Sequence, residues 1–96
     1  MRHMYIVTYD ISDPRRLRHV YRTMRGFGQH LQLSVFQCDL TPTARIQMVC
    51  ALEGAIHHGE DQVLLINLGP TDARPIKQIE ALGRPTSLHE RGPVIV

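Results

Sequence analysis

An α+β fold in the order strand, helix, strand, strand, helix, strand is what these 96 residues predict, and three observations carry the prediction. Apolar, β-branched and aromatic runs of strand length alternate with stretches whose apolar residues recur at helical spacing. Two pairs, Asp13-Pro14 and Thr41-Pro42, each put a capping residue before a proline and so mark helix starts. Between the two helices lies a strand-like segment that can bend near Ser34.

Residues 4–10 have the length and composition of a buried central strand. After Asp13-Pro14, Leu17, Val20, Tyr21 and Met24 fall at i, i+3, i+4 and i+7, one apolar helix stripe, and Gly26 and Gly28 end that helix. Residues 30–40, "HLQLSVFQCDL", read as one long strand or as two short ones. From Thr41-Pro42, Ile46, Val49, Cys50, Leu52 and Ile56 supply a second apolar stripe, which Gly59 closes. Residues 62–68, "QVLLINL", form another buried strand stopped by Gly69-Pro70. A weaker segment at 76–82, a polar stretch and the apolar end "PVIV" follow.

Splitting residues 30–40 gives βαββαβ, the ferredoxin-like arrangement with both helices on one face of an antiparallel sheet. The unsplit reading is a three-stranded βαβαβ unit, and no glycine-rich phosphate turn follows the first strand to support it. The expectation is therefore one ferredoxin-like domain over residues 4–96, with residues 1–3 an extension ahead of Met4. The tethered "PVIV" is expected as an additional short C-terminal strand on an edge of its own sheet or of a neighbour's.

A chain of this size buries one modest core and often dimerises. It contains no apolar run of membrane-spanning length and no secretion leader, which predicts a cytoplasmic protein. Cys38 and Cys50 lie too far apart for a zinc knuckle or a redox pair, and their apolar neighbours predict reduced core thiols. The six histidines, including His57-His58 near a helix end, form no metal-ligand spacing. Net charge is only +2, but five of the eleven basic side chains, Arg15, Arg16, Arg18, Arg22 and Arg25, fall within a stretch that contains no acid. Five arginines without acidic i±4 partners repel one another, which favours an anionic partner, nucleic acid foremost. With no tryptophan and two phenylalanines, backbone contact is expected over sequence readout.

Asp10 closes the first strand just ahead of a helix, a position common for a ligand or catalytic group, though taken alone the spacing favours a turn residue. Asp13 immediately precedes the helix and is expected to cap its free N–H groups. Ser12, Ser34 and Thr41 lack the His-plus-acid company of a nucleophile; Ser34 is expected to allow the bend and Phe36 to enter the core or a subunit interface. Magnesium takes oxygen ligands from one or two carboxylates plus water and phosphate. A symmetric dimer that juxtaposes two copies of Asp10 would supply such a pair.

The stretches "YIVTYDISDPRRLRHVYRTMRGFG", "LQLSVFQCDL", "QVLLINLG", "ALGRP" and "GPVIV" together resemble the Cas2 family, the small CRISPR-associated nucleases of spacer acquisition, over nearly the whole chain. The resemblance implies a ferredoxin-like homodimer, a C-terminal strand that crosses to the partner, and a divalent metal held between two copies of Asp10. The implied metal is Mg2+, or another divalent cation such as Mn2+. Asp13, Arg16 and Arg18 match the family's aspartate-then-basic-helix pattern, and Ser34, Val35 and Phe36 its Ser-Val-Phe. Leu31 and Gln37 stand where the family often carries a base and an acid, which removes one nucleic-acid contact and leaves the metal more dependent on Asp10.

Two functions are consistent with this resemblance. One is a metal-dependent endonuclease that cuts single-stranded RNA or duplex DNA, with Asp10 as metal ligand and catalytic residue. The other is a non-catalytic dimeric scaffold that grips duplex DNA and bridges copies of the CRISPR adaptation integrase. A ferredoxin-like regulatory domain with a small ligand is disfavoured by the Ser-Val-Phe motif and the arginine stripe.

Overall fold

The computed structural model describes residues 1–71 and 79–84. In chain order the elements are β1 (His3–Asp10), α1 (Pro14–Arg25), β2 (Gln29–Gln32), β3 (Val35–Leu40), α2 (Pro42–Ala55) and β4 (Gln62–Pro70). The strands form one sheet in the order β2-β3-β1-β4, antiparallel at every step. This is the βαββαβ ferredoxin-like topology, and the segment 30–40 is split: the chain turns at Leu33 and Ser34. The C-terminal strand expected at 93–96 and residues 76–78 of the weak segment at 76–82 lie outside the described residues, and residues 79–82 form neither helix nor strand. β1 begins at His3, one residue ahead of the expected domain boundary at Met4.

Period-two alternation sorts the sheet into two faces. Tyr5, Val7 and Tyr9 of β1 and Phe36, Cys38 and Leu40 of β3 are buried with Val20 and Met24 of α1 and Met48 and Leu52 of α2. Both helices therefore cover one face. Phe36 is fully buried, its ring centroid 5.0 Å from His30, 5.8 Å from Tyr21 and 6.2 Å from Tyr9. Gly28 has a steric reason to lack a side chain: a Cβ there would lie 2.4 Å from the Gln37 carbonyl and 2.5 Å from Cys38 Sγ.

The second helix corrects the sequence reading. Its buried positions are Met48 and Leu52, with Ala44 and Ala55 packed beside them, whereas Ile46 is 60% exposed and Cys50 faces solvent. The apolar residues of α2 spread around its circumference, so of the expected stripe Leu52 and Ile56 pack inward while Ile46 and Cys50 do not, and the spacing 44, 48, 52, 55 meets the sheet. Only Cys38 is a core thiol, and burial pushes its pKa up to about 12. The helix also ends earlier than Gly59, with Ile56 as its C-cap. Among the described residues no helix is long and apolar enough to cross a membrane.

Candidate metal site and nucleic-acid interface

Asp10 is the last residue of β1 and stands opposite Gln62, the first of β4. Alternation places it with Ile6 and Thr8 on the face that the helices leave uncovered. Across β4, Val63 and Leu65 pack on the core, so Leu64 and Ile66 stand on the same uncovered face as Asp10. Both are large and apolar, yet 49% and 47% exposed. The Asp10 side chain is exposed and makes no hydrogen bond or ion pair among the described residues.

Three residues on, the chain enters α1. Asp13 adopts extended backbone geometry, and its Oδ2 accepts from the N–H groups of Arg15 and Arg16, both at 3.0 Å. These bonds, Arg16's foremost, hold its carboxyl below the usual range. Asp13 is thereby an N-cap, spent on the helix terminus.

The arginines divide. Arg15, Arg18, Arg22 and Arg25 follow at spacings of three, four and three residues and so share one side of α1. Of these, Arg15, Arg18 and Arg22 are exposed, and their side chains make no hydrogen bond or ion pair among the described residues. Arg25 turns back on its own helix: Nη1 donates to the Tyr21 hydroxyl at 3.1 Å, and the guanidinium lies 5.8 Å from that ring's centroid.

Arg16 corrects the picture of a stripe without acidic partners. Its Nε donates to Asp61 Oδ2 at 2.8 Å, and its Nη2 reaches Glu60 Oε1 at 3.1 Å and Asp61 Oδ1 at 3.2 Å. Those acids come from the connection between α2 and β4, which local i±4 bookkeeping cannot see. Asp61 gathers further donors: the His57 N–H at 2.8 Å, the Ser12 N–H at 3.0 Å and the Ser12 hydroxyl at 3.3 Å. Its side chain is fully enclosed. Arg16, then the backbone N–H groups of His57 and Ser12, hold its carboxyl well below the usual range against the opposing effect of burial. The same contact raises the pKa of Arg16.

This network was missed in the sequence, although a signal existed. Once β1 and β4 are placed side by side, an acid just before β4 must lie near the residues just after β1. Its consequence is local: Ser12 and Gln62, the neighbours of Asp10 along and across the sheet, are both tied to Asp61, by hydrogen bonds and by chain continuity.

The donor set for a divalent ion is accordingly small. Among the described residues no three His, Cys, Asp or Glu side chains converge. Asp61 and Glu60 are engaged with Arg16, while Asp39 sits opposite Met4, roughly 20 Å along the sheet from Asp10 at about 3.4 Å per residue, and accepts from the Thr71 hydroxyl. Asp10 is thus an unengaged carboxylate at this end of the sheet, part of no three-ligand group among the described residues. That fits a hard, oxygen-seeking cation as half of a site rather than a whole one.

Comparison with known proteins gives a consistent result. The family model for the CRISPR associated protein Cas2 matches residues 1–75. A CRISPR-associated endoribonuclease Cas2 1 from Rhodospirillum rubrum is 45% identical over 94 residues, covering 98% of this chain and 91% of the relative. A CRISPR-associated endoribonuclease Cas2 from Geobacter sulfurreducens is 50% identical over 72 residues, covering 75% and 76%. Among solved structures, Streptococcus pyogenes Cas2 at pH 6.5 superposes with a TM-score of 0.72 at 33% identity, covering 83% of this chain and 99% of that one. A hypothetical protein from Thermus thermophilus gives 0.74 at 25% identity, covering 88% and 94%.

Proposed function

Because the chain belongs to the CRISPR-associated Cas2 family, we propose that it is a homodimeric, divalent-metal-dependent endonuclease of CRISPR adaptation. Its substrate on this reading is a phosphodiester bond in single-stranded RNA or duplex DNA, and it takes part in acquiring and integrating new spacers beside the adaptation integrase. One observation carries the reading. The unengaged carboxylate of Asp10 lies on the sheet face opposite the helices, as do the exposed apolar side chains of Leu64 and Ile66.

An apolar sheet face of this kind favours association, and a two-fold dimer applies the same face from each copy. Two Asp10 carboxylates then share one environment, and like charges brought together favour a cation between them. What Mg2+, or Mn2+ in its place, supplies when bound is Lewis acidity toward a phosphoryl oxygen and toward water. Asp10 is the residue of this chain that would hold it. Arg15, Arg18 and Arg22 hold the nucleic-acid backbone through phosphate contacts, and Arg16 and Asp61 fix the strand end from which Asp10 projects.

A second reading, a non-catalytic scaffold that grips duplex DNA and bridges integrase copies, is favoured by a different observation. The three unengaged arginines need no metal to bind phosphate. Asp10→Asn separates the two readings, assayed for magnesium-dependent cleavage and, independently, for DNA and integrase binding. Loss of cleavage with binding retained supports the endonuclease; cleavage that persists at the parent level removes Asp10, and with it this enzyme reading.

A further inference from the structure

We infer that the groove between α1 and the β2–β3 turn is a subsite for one unpaired nucleobase of single-stranded RNA, with the adjoining phosphate on Arg18. The inference rests on the endonuclease reading and names the form of substrate that reading would take. The groove holds about 330 Å³ and is lined by Tyr9, Leu17, Arg18, Tyr21, Leu33 and Ser34. Its lining is mostly apolar and aromatic, with one cation at the rim, the composition of a site that takes a flat ring and a charge.

Several features prepare this groove for a ligand. Leu33 is 86% exposed and Leu17 40%, so neither is spent on the core. Leu33 also has φ of +36°, a left-handed conformation that leucine rarely adopts. The turn is fastened in that state: His30 Nε2 donates to the Leu33 carbonyl at 2.8 Å, and the Tyr9 N–H donates to the Ser34 carbonyl at 3.1 Å. The opposite wall is equally fixed. The Tyr21 ring meets His30 edge-on at 5.2 Å and Phe36 at 5.8 Å, while its hydroxyl accepts from Arg25. Rigid apolar walls lose little entropy on binding.

Charge selects the occupant. Arg18 at the rim is flanked on the same side of α1 by Arg15 and Arg22, all three unengaged among the described residues, so the groove opens onto a cationic surface that follows a phosphate chain. Tyr9 in the groove wall directly precedes Asp10, and consecutive Cα atoms are about 3.8 Å apart. Their side chains stand on opposite faces of the sheet at the same strand end, so a single strand that seats a base here passes around that end to reach Asp10. A paired base cannot enter, because its ring is stacked within the duplex.

The test measures binding of a short single-stranded RNA and of a DNA duplex to the dimer by fluorescence anisotropy, with 2-aminopurine placed at successive RNA positions. Leu33→Asp is expected to weaken single-stranded RNA by about tenfold or more and the duplex by no more than about twofold. Leu33→Phe should restore RNA binding, one aminopurine position should change its emission on binding, and Arg18→Gln should weaken both ligands. Since Leu33 is exposed, Leu33→Asp is expected to melt with the parent. Parent-like RNA affinity in Leu33→Asp overturns the subsite, and so does equal loss of both ligands, which marks a general charge effect. Loss of integrase binding with RNA affinity intact assigns the groove to a protein partner and overturns it too. Cleavage by Asp10→Asn would overturn the endonuclease reading while leaving the RNA-over-duplex affinity difference, so the two failures are distinguishable.

Discussion

Arg16 Nε donates to Asp61 Oδ2 at 2.8 Å, joining the first turn of α1 to the residue that leads into β4. Together with the Ser12 and His57 bonds to the same carboxylate, this contact fastens the sheet end that carries Asp10. The folded state depresses the Asp61 pKa, so in acid the unfolded chain binds more protons. The stabilisation is present above an unfolded value of about 3.9 and is lost as pH falls through the lower folded value. Asp13, depressed by its cap bonds, acts in the same sense. Asp61→Asn is expected to lower the melting temperature by several degrees at neutral pH and to flatten its decline in acid. Thermal melts from neutral to acid pH check both, and an unchanged acid limb would count against this contact.

Salt dependence separates the arginines by role. Arg15→Gln, Arg18→Gln and Arg22→Gln should each reduce the slope of log affinity against log salt by about one, with little change in melting temperature. Arg16→Gln should instead lower the melting temperature, because it leaves the enclosed Asp61 carboxylate without its guanidinium. Affinity titrations at several salt concentrations, read beside melts, distinguish the two patterns.

The proposed dimer, built on the sheet face opposite the helices, should be sensitive to charge placed there. Leu64→Asp with Ile66→Asp is expected to shift the protein from dimer to monomer while retaining the helix signal, since both side chains point away from the core. Light scattering coupled to gel filtration measures the shift. A dimer that survives the double substitution would place the interface elsewhere.

Thiol labelling under native conditions should modify Cys50 rapidly and spare Cys38. Cys50 is exposed, whereas Cys38 is buried and its pKa is pushed up to about 12. Mass spectrometry of digested protein reads the two sites separately.

How much of this was legible in the sequence differs by element. The first stripe (apart from Leu17, which is 40% exposed), the Asp13 cap and the bend at Ser34 are local patterns, and local patterns carried the βαββαβ order. The second helix was read correctly at Leu52 and Ile56 and misread at Ile46 and Cys50, because only the sheet beneath it selects Met48 in their place. Arg16 was assigned to an open stripe because its partners, Glu60 and Asp61, become neighbours only when β4 pairs with β1. Leu33 gave no signal at all, since neither its exposure nor its left-handed backbone is written in a hydrophobic pattern. Asp10 was legible as a strand-end carboxylate, but its company with Leu64 and Ile66 on one face required the register of β4.

The central claim is that two copies of Asp10 hold one divalent ion. Titration of the metal-stripped dimer with Mn2+, followed by the paramagnetic resonance of the free ion, tests it most directly. The account predicts one tightly bound ion for every two chains in the parent and none in Asp10→Asn. One ion per chain, or the same binding after Asp10→Asn, would contradict it.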